Sequence, residues 1–250
     1  MIMKQGFTFG NELIRLDEVD STNTFLQELG ITRNLLEGLV VVAKKQTKGR
    51  GQRGNSWETD ADKNLTFSLL LKPNLVVSEQ FLLSKAMALG IYDFLTTLKI
   101  KNVQVKWPND VMVNGQKIAG ILIENTLKQH KIATAIVGIG LNVNQTQFSS
   151  EVNATSLMNE LGSDFDVDET LHHLLIYLEK RYMQLRALNY NEINTDYLNH
   201  LLGYQIALNY QIEDQVKKGT IMGISPEGKL RLEIGGVVEE FGMKELRLIL

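Results

Sequence analysis

Two stretches of the chain carry residue types suited to handling anions. The first spans residues 44–57 and reads Lys44-Lys45-Gln46-Thr47-Lys48-Gly49-Arg50-Gly51-Gln52-Arg53-Gly54-Asn55-Ser56-Trp57. Arginine's forked guanidinium grips carboxylates and phosphates, and glycine lets a backbone approach a ligand closely. Trp57 offers a flat apolar face for stacking on a base or capping an apolar ligand. Gly49, Gly51 and Gly54 fit the Gly-x-Gly-x-x-Gly spacing of dinucleotide-binding turns, but such a turn opens a helix whose N-terminus faces the pyrophosphate. The next periodic segment here, residues 64–71, reads as a strand, so the dinucleotide reading is rejected. No Gly-Lys-Ser or Gly-Lys-Thr follows, so the P-loop reading fails too. The plain alternative is a solvated basic turn.

The second stretch is Lys106-Trp107-Pro108-Asn109-Asp110. Pro108 bars the residue before it from the helical region, so residues 103–107 form a strand that stops at a rigid corner. Asn109 and Asp110 then stand at a strand end. Asn114-Gly115 is a hairpin signal, and the return strand carries Lys117 near its start and the small pair Ala119-Gly120. Taken alone, Lys117 reads as an exposed strand lysine.

In order and spacing, Gly-Arg-Gly-x-Arg-Gly-x-x-Trp, Lys-Trp-Pro-Asn-Asp and Lys-x-Ala-Gly-Ile-Leu-x-Glu resemble the biotin protein ligases. Asp20-Ser21-Thr22-Asn23 upstream and Gly138-Ile139-Gly140-Leu141-Asn142-Val143 downstream extend the match. The resemblance covers residues 12–145 closely and the remainder in outline. It implies an ATP-dependent ligase that makes biotinyl-5′-adenylate and passes biotin to a lysine of a biotin carboxyl carrier protein, with Mg²⁺ accompanying ATP. It assigns the biotin site to Ser21, Thr22, Asn23, Gln46, Gly49, Arg50, Gly51, Gln52, Lys117, Gly120 and Gly138. It assigns the ATP side to Arg53, Trp57, Asn109, Lys117 and Asn142, and the catalytic roles to Lys117, Arg50 and Asp110, with no protein-held metal. Asp110 is open between ribose binding and orienting or deprotonating the incoming lysine.

The elements that must position these groups follow from periodicity. Residues 12–19, 39–46, 64–71, 103–107 and 131–137 read as strands, and residues 111–124 as a hairpin. Asp20 to Asn23 supply capping residues for a helix through Leu29. Residues 78–98 and 168–188 form the long helices, residues 190–202 a third, and residues 155–161 a short one. Met87 lies on an apolar face and fills core. His130, His172, His173 and His200 show no metal-ligand spacing and read as surface residues. Beyond Gly203, short alternating runs split by Pro226-Glu227-Gly228 and Gly235-Gly236 suggest a small barrel. Strands and helices do not alternate regularly, which disfavours a doubly wound parallel sheet. The expected fold is α+β: a mixed β-sheet catalytic domain over residues 1–202, of the type shared by biotinyl and lipoyl ligases. An SH3-like β-barrel follows over residues 203–250.

Composition sets outer bounds. The chain has 250 residues, a formal net charge of −3 and no cysteine. Disulfides and thiolate metal sites are therefore excluded, and no polyanion-binding field extends over the whole chain. The N-terminus lacks the apolar core of a signal peptide, and no apolar run approaches the ~20 residues of a membrane span; a cytoplasmic enzyme is expected. Two departures from the resembled family stand out. Glutamine occupies position 52, where the better-known bacterial members carry arginine, and asparagine position 55, where they often do; glutamine keeps hydrogen bonding but loses charge, which predicts weaker retention of the adenylate. The Asp20 turn comes too early for the winged helix-turn-helix of regulatory members, so no DNA binding is expected. A homodimer paired through the catalytic sheet is compatible with the resemblance. The rival readings are a lipoate or octanoate ligase or transferase of similar architecture, and a non-enzymatic binding module.

Overall fold

The structure, a computed structural model, describes residues 9–52, 56–57, 60–149 and 152–249. Seven strands form one sheet: β1 (Leu13–Val19), β2 (Val40–Gln46), β3 (Leu65–Leu71), β4 (Val103–Lys106), β5 (Asp110–Val113), β6 (Gln116–Lys128) and β7 (Lys131–Leu141). Their order is β1-β2-β3-β7-β6-β5-β4. Only β1–β2 pair in parallel, joined through helix α1 (Thr22–Thr32), and the other pairs are antiparallel. The sheet is thus mixed, as the irregular alternation of elements implied.

Alternating side chains bury both faces. Val40, Leu69 and Leu71 join the main core, which also takes in α2 (Phe81–Thr97) and α4 (Val167–Arg186). Their neighbours Val41 and Leu70 pack on the other face against Leu26, Leu35 and Leu39, under α1. Every residue of β3 is buried, as expected for a central strand covered on both sides. A short 3₁₀ turn (Val77–Glu79) precedes α2, while α3 (Leu157–Leu161) and α5 (Tyr190–Asn199) complete the helices.

Several local expectations need correction. Ser21 is the N-cap residue of α1, but its side chain makes no capping bond. The Thr22 N–H instead donates to Gln46 Oε1 at 2.8 Å, so a tertiary acceptor has taken the cap's place. The strand expected to end at Val137 continues to Leu141, because Gly138 and Gly140 pair with both β3 and β6. His130, His172 and His173 are exposed, but His200 is half-buried and its ring stacks on Tyr92 with centroids 3.9 Å apart. Burial there pushes the His200 imidazole pKa down.

The C-terminal strands β8 (Ala207–Ile212), β9 (Gln215–Ile224), β10 (Leu230–Ile234), β11 (Val237–Phe241) and β12 (Leu246–Ile249) form an antiparallel sheet ordered β11-β10-β9-β8-β12. Among the described residues no pairing closes β11 onto β12. Tyr210, Ile221, Leu230 and Leu232 belong to the same apolar cluster as the main core. Trp107 Nε1 donates to Gly228 O at 2.9 Å, which fastens the Lys106–Asp110 corner to the turn before β10. Gly228 has a φ of +93°, and a Cβ there would come 2.6 Å from Phe81, so a side chain would undo this junction. Among the described residues no helix is long and apolar enough to cross a membrane.

Candidate active site

The sheet's central strands, the start of α1 and the basic loop enclose a cavity of about 120 Å³. Ser21, Thr22 and Asn23 enter it from the β1–α1 turn, and Gln46 from the end of β2. Arg50, Gly51, Gln52 and Trp57 come from the loop, and Asn109, Asp110, Lys117, Gly120 and Gly138 from β5, β6, β7 and the corner before them. Ser21, Thr22 and Asn23 are buried, so their polar groups need internal partners. Ser68 supplies one: its Oγ donates to Asn23 Oδ1 at 2.6 Å and lies 2.7 Å from Thr22 Oγ1. A Cβ on Gly138 would fall 2.5 Å from Asn23 Oδ1, so a bare backbone is required where the turn meets β7.

Lys117 reaches the cavity because of a bulge. Asp110 pairs with Gly120 and Val111 with Ala119, but Met112 pairs with Lys117, leaving Ile118 as the extra residue. A bulge breaks the strict alternation of sides. Ile118 stays in the core, while Lys117 shares the cavity side with Gly120, where its Cε would lie 3.1 Å from a Cβ. The Lys117 ammonium lies 2.6 Å from Asp110 Oδ1, an ion pair lacking the angular geometry of a hydrogen bond. Asn109 Nδ2 donates to Ile121 O at 2.9 Å, and the Ile121 N–H returns a bond to Asn109 O at 3.0 Å, which locks the corner onto β6.

Trp57 divides this cavity from a second one. Its N–H donates to Gly49 O at 3.0 Å, folding the loop back on itself. Its indole packs against Gly140, where a Cβ would come 2.2 Å from the ring, and Lys117 Nζ sits 5.3 Å from a ring centroid. Trp57 and Lys117 line both cavities; the second measures about 250 Å³ and also meets Asn142, Gln145, Phe148 and Val152. Trp57 Nε1 is buried without a hydrogen-bond partner among the described residues, a donor left over for a ligand.

The loop cations divide in the same way. Lys44, Lys45 and Lys48 pair with Asp17, Glu18 and Asp20 on and just after β1. Arg50 borders the cavity and pairs with Glu124 at 2.9 Å, its side chain still 43% exposed. Among the described residues, positive charge at the cavity thus comes from Arg50 and Lys117, brought in from the loop and from β6.

A sequence profile of the biotin/lipoate A/B protein ligase family matches residues 16–142. The chain belongs to that family. It is 32% identical over 228 residues to the bifunctional ligase/repressor BirA of Bacillus spizizenii, covering 90% of this chain and 70% of that protein. It is 30% identical over 224 residues to the biotin–[acetyl-CoA-carboxylase] ligase of Mycobacterium tuberculosis, covering 88% and 82% respectively. Among solved structures, the Aquifex aeolicus biotin protein ligase in complex with biotin and ATP matches with a TM-score of 0.78 at 30% identity, over 96% of this chain and 99% of that one.

Of the residues that the likeness to this family singled out, Ser21, Thr22, Asn23, Gln46, Arg50, Gly51, Gln52, Trp57, Asn109, Asp110, Lys117, Gly120 and Gly138 line one cavity. Gly49 stands behind it, where a Cβ would fall 2.3 Å from Trp57 O. Arg53 lies outside the described residues, as does Asn55. Asn142 is in the second cavity, apart from Asn109. Its amide donates to Thr155 O at 2.9 Å, so it also clasps the chain ahead of α3. Thr66, Ser68 and Glu124 were missed. Asn64, Thr66 and Ser68 put a polar residue at every second position of an apolar run, a period-2 sign that one face of β3 meets something polar.

Proposed function

We propose that this member of the family ligates biotin to a lysine of a biotin carboxyl carrier protein, through biotinyl-5′-adenylate made from ATP. The observation that carries the reading is the position of Lys117 and Trp57 on the shared wall of two cavities, the first of which Arg50 also borders. The enclosed cavity is lined at its deep end by neutral donors and acceptors from Ser21, Thr22, Asn23 and Gln46. These suit the neutral cyclic urea of biotin. The sulfur ring of lipoate would leave them unmatched, and a site built to hydrogen-bond its substrate rejects an analogue that cannot respond. The second cavity, with the Trp57 ring and Asn142, takes the adenine.

In the first step an oxygen of the biotin carboxylate attacks the α-phosphorus. A P–O bond forms, the bond to the β-phosphate breaks, and pyrophosphate leaves with the electron pair. Two anions must meet, and Lys117 and Arg50 supply fixed positive charge where negative charge builds up. Trp57 and the loop shield the mixed anhydride from water. In the second step the carrier lysine attacks the acyl carbon, an amide forms and AMP departs. Asp110 is the cavity's carboxylate among the described residues, and it orients the incoming amine or takes its proton.

Among the described residues no group of three or more His, Asp or Glu side chains could hold a metal. Magnesium would be carried by the nucleotide's own phosphates, with Asp110, already paired to Lys117, as the carboxylate that lines the cavity among the described residues. The ion would offset phosphate charge there. We place the reaction in the cytoplasm, with ATP and the carrier. Incubating the protein with biotin, Mg²⁺-ATP and an apo carrier domain should add one biotinyl group to the carrier by intact mass. A carrier of unchanged mass would sink the reading.

A further inference from the structure

One carboxylate behind the cavity is shared between its two ends. Glu124 Oε2 accepts from Asn23 Nδ2 at 2.8 Å and from Arg50 Nη2 at 2.9 Å. Asn23 belongs to the deep, neutral end and Arg50 to the loop, yet Glu124 itself does not line the cavity. The network runs on from there. Asn23 Oδ1 accepts from Ser68, Ser68 touches Thr22, and the Thr22 N–H donates to Gln46. Polar groups from the β1–α1 turn, β2, β3, β6 and the loop are therefore joined in one chain of contacts.

Arg50 needs such an anchor. It stands between Gly49 and Gly51 on a loop that would otherwise leave it many orientations. The described lysines of the same loop are held by β1-side carboxylates, so none of them substitutes at the cavity. Asn23 is held by it as well: Glu124 and, at 3.4 Å, the Leu122 carbonyl can only accept, which fixes the NH₂ toward them and the oxygen toward Ser68, with Glu124 the shorter contact.

We propose that Glu124 is a positioning residue for the adenylation step. It holds the Arg50 guanidinium at the point where the reacting carboxylate meets the nucleotide, and the same oxygen keeps Asn23 in register in the seat of the head group. The inference rests on the adenylation reading above. Glu124 acts through Arg50 and Asn23, without touching substrate.

The test is a double-mutant cycle on biotin-dependent ATP–pyrophosphate exchange, with Glu124→Gln, Arg50→Ala and the double variant. Glutamine keeps the shape but loses the charge, and a thermal melt confirms that each variant is folded. Glu124→Gln should lower kcat/KM for biotin about tenfold when Arg50 is present, since charged hydrogen bonds are replaced by neutral ones. In the Arg50→Ala background the same substitution should cost distinctly less, about threefold or under, the share that passes through Asn23. Glu124→Asp should restore part of the loss, because a carboxylate returns at shorter reach. A loss that is the same in both backgrounds, or no loss at all, would overturn the proposal. Absence of exchange by the unmodified protein would instead count against the biotin reading itself, so the two failures are distinguishable.

Discussion

Substituting alanine for Gly138 places a methyl group where the structure has none to spare. The new Cβ would lie 2.5 Å from Asn23 Oδ1, 3.1 Å from its Cγ and 3.2 Å from its Nδ2, whereas ordinary contact begins at 3.4 Å. The amide cannot swing away freely. Ser68 holds its oxygen at 2.6 Å and Glu124 its nitrogen at 2.8 Å. The backbone of Gly138 is itself paired on both sides, opposite Ser68 and Leu122. Asn23 must therefore shift by several tenths of an ångström and loosen at least one bond. Loosening a buried bond of this kind costs about 1–3 kcal/mol. If that cost falls on biotin binding, KM for biotin rises roughly 5- to 150-fold at about 1.4 kcal/mol per tenfold. The assay is biotin titration of ATP–pyrophosphate exchange, alongside urea unfolding to separate misfolding from a local effect. Gly30→Ala in α1 is the control, since its Cβ would meet Leu35 at an ordinary 3.6 Å. That variant should keep the wild-type KM and gain about 0.5–1 kcal/mol of stability, as glycine is costly inside a helix. A folded Gly138→Ala protein with unchanged KM would refute the claim that Asn23 and Gly138 together define the head-group seat.

Lys117→Gln should lower the exchange rate by ~10²–10³, in line with the loss of one fixed donor at a developing charge, while the protein remains folded; single-turnover kinetics would read it. Gln52→Arg should slow release of biotinyl-adenylate, because Gln52 borders the cavity and arginine adds a cation there; release as fast as, or faster than, wild type would contradict this. Lys85 is buried on α2 and its pKa is pushed down to about 8 by that burial. The folded protein therefore gives up this proton near pH 8, while the unfolded chain keeps it until about 10.5. Its contribution to stability is least favourable below pH 8 and improves as pH rises through that window. Lys85→Met should stabilise the protein at pH 7 by about 1–3 kcal/mol and flatten the slope between pH 8 and 10. The gain is discounted because Lys85 Nζ donates to Asn194 Oδ1 at 2.7 Å; urea midpoints at several pH values check it.

Much of the site could be read in the chain because its residues sit in tight local contexts. The Pro108 corner is set by a residue that permits few backbones, while the glycines of the basic loop allow the close approaches a bulkier residue could not make; the described part of that loop borders the cavity. The hairpin turn is another such case: Asn114 and Gly115 both adopt positive φ, as the dipeptide predicts. What could not be read depends on partners distant in sequence. Strict alternation would put Lys117 on the side away from Gly120, and only the bulge at Ile118 brings it round. Ser21 looks like a capping serine, but Gln46, on the next strand, satisfies the helix start instead. Glu124 closes a recognisable motif, yet its importance appears only when Asn23 and Arg50 arrive from two other segments. Asn109 and Asn142 are assigned to the same ligand by the resemblance, and the sheet sets them on the walls of two cavities that adjoin at Trp57 and Lys117.

The measurement that bears most directly on the central claim is ATP–pyrophosphate exchange by the full chain with Mg²⁺. Biotin, lipoate and octanoate are supplied in parallel, and Lys117→Gln serves as the chemical control. The account predicts exchange with biotin alone, and its near loss in the variant. Exchange with lipoate or octanoate at a rate comparable to biotin, or biotin-dependent exchange untouched by the loss of Lys117, would contradict it.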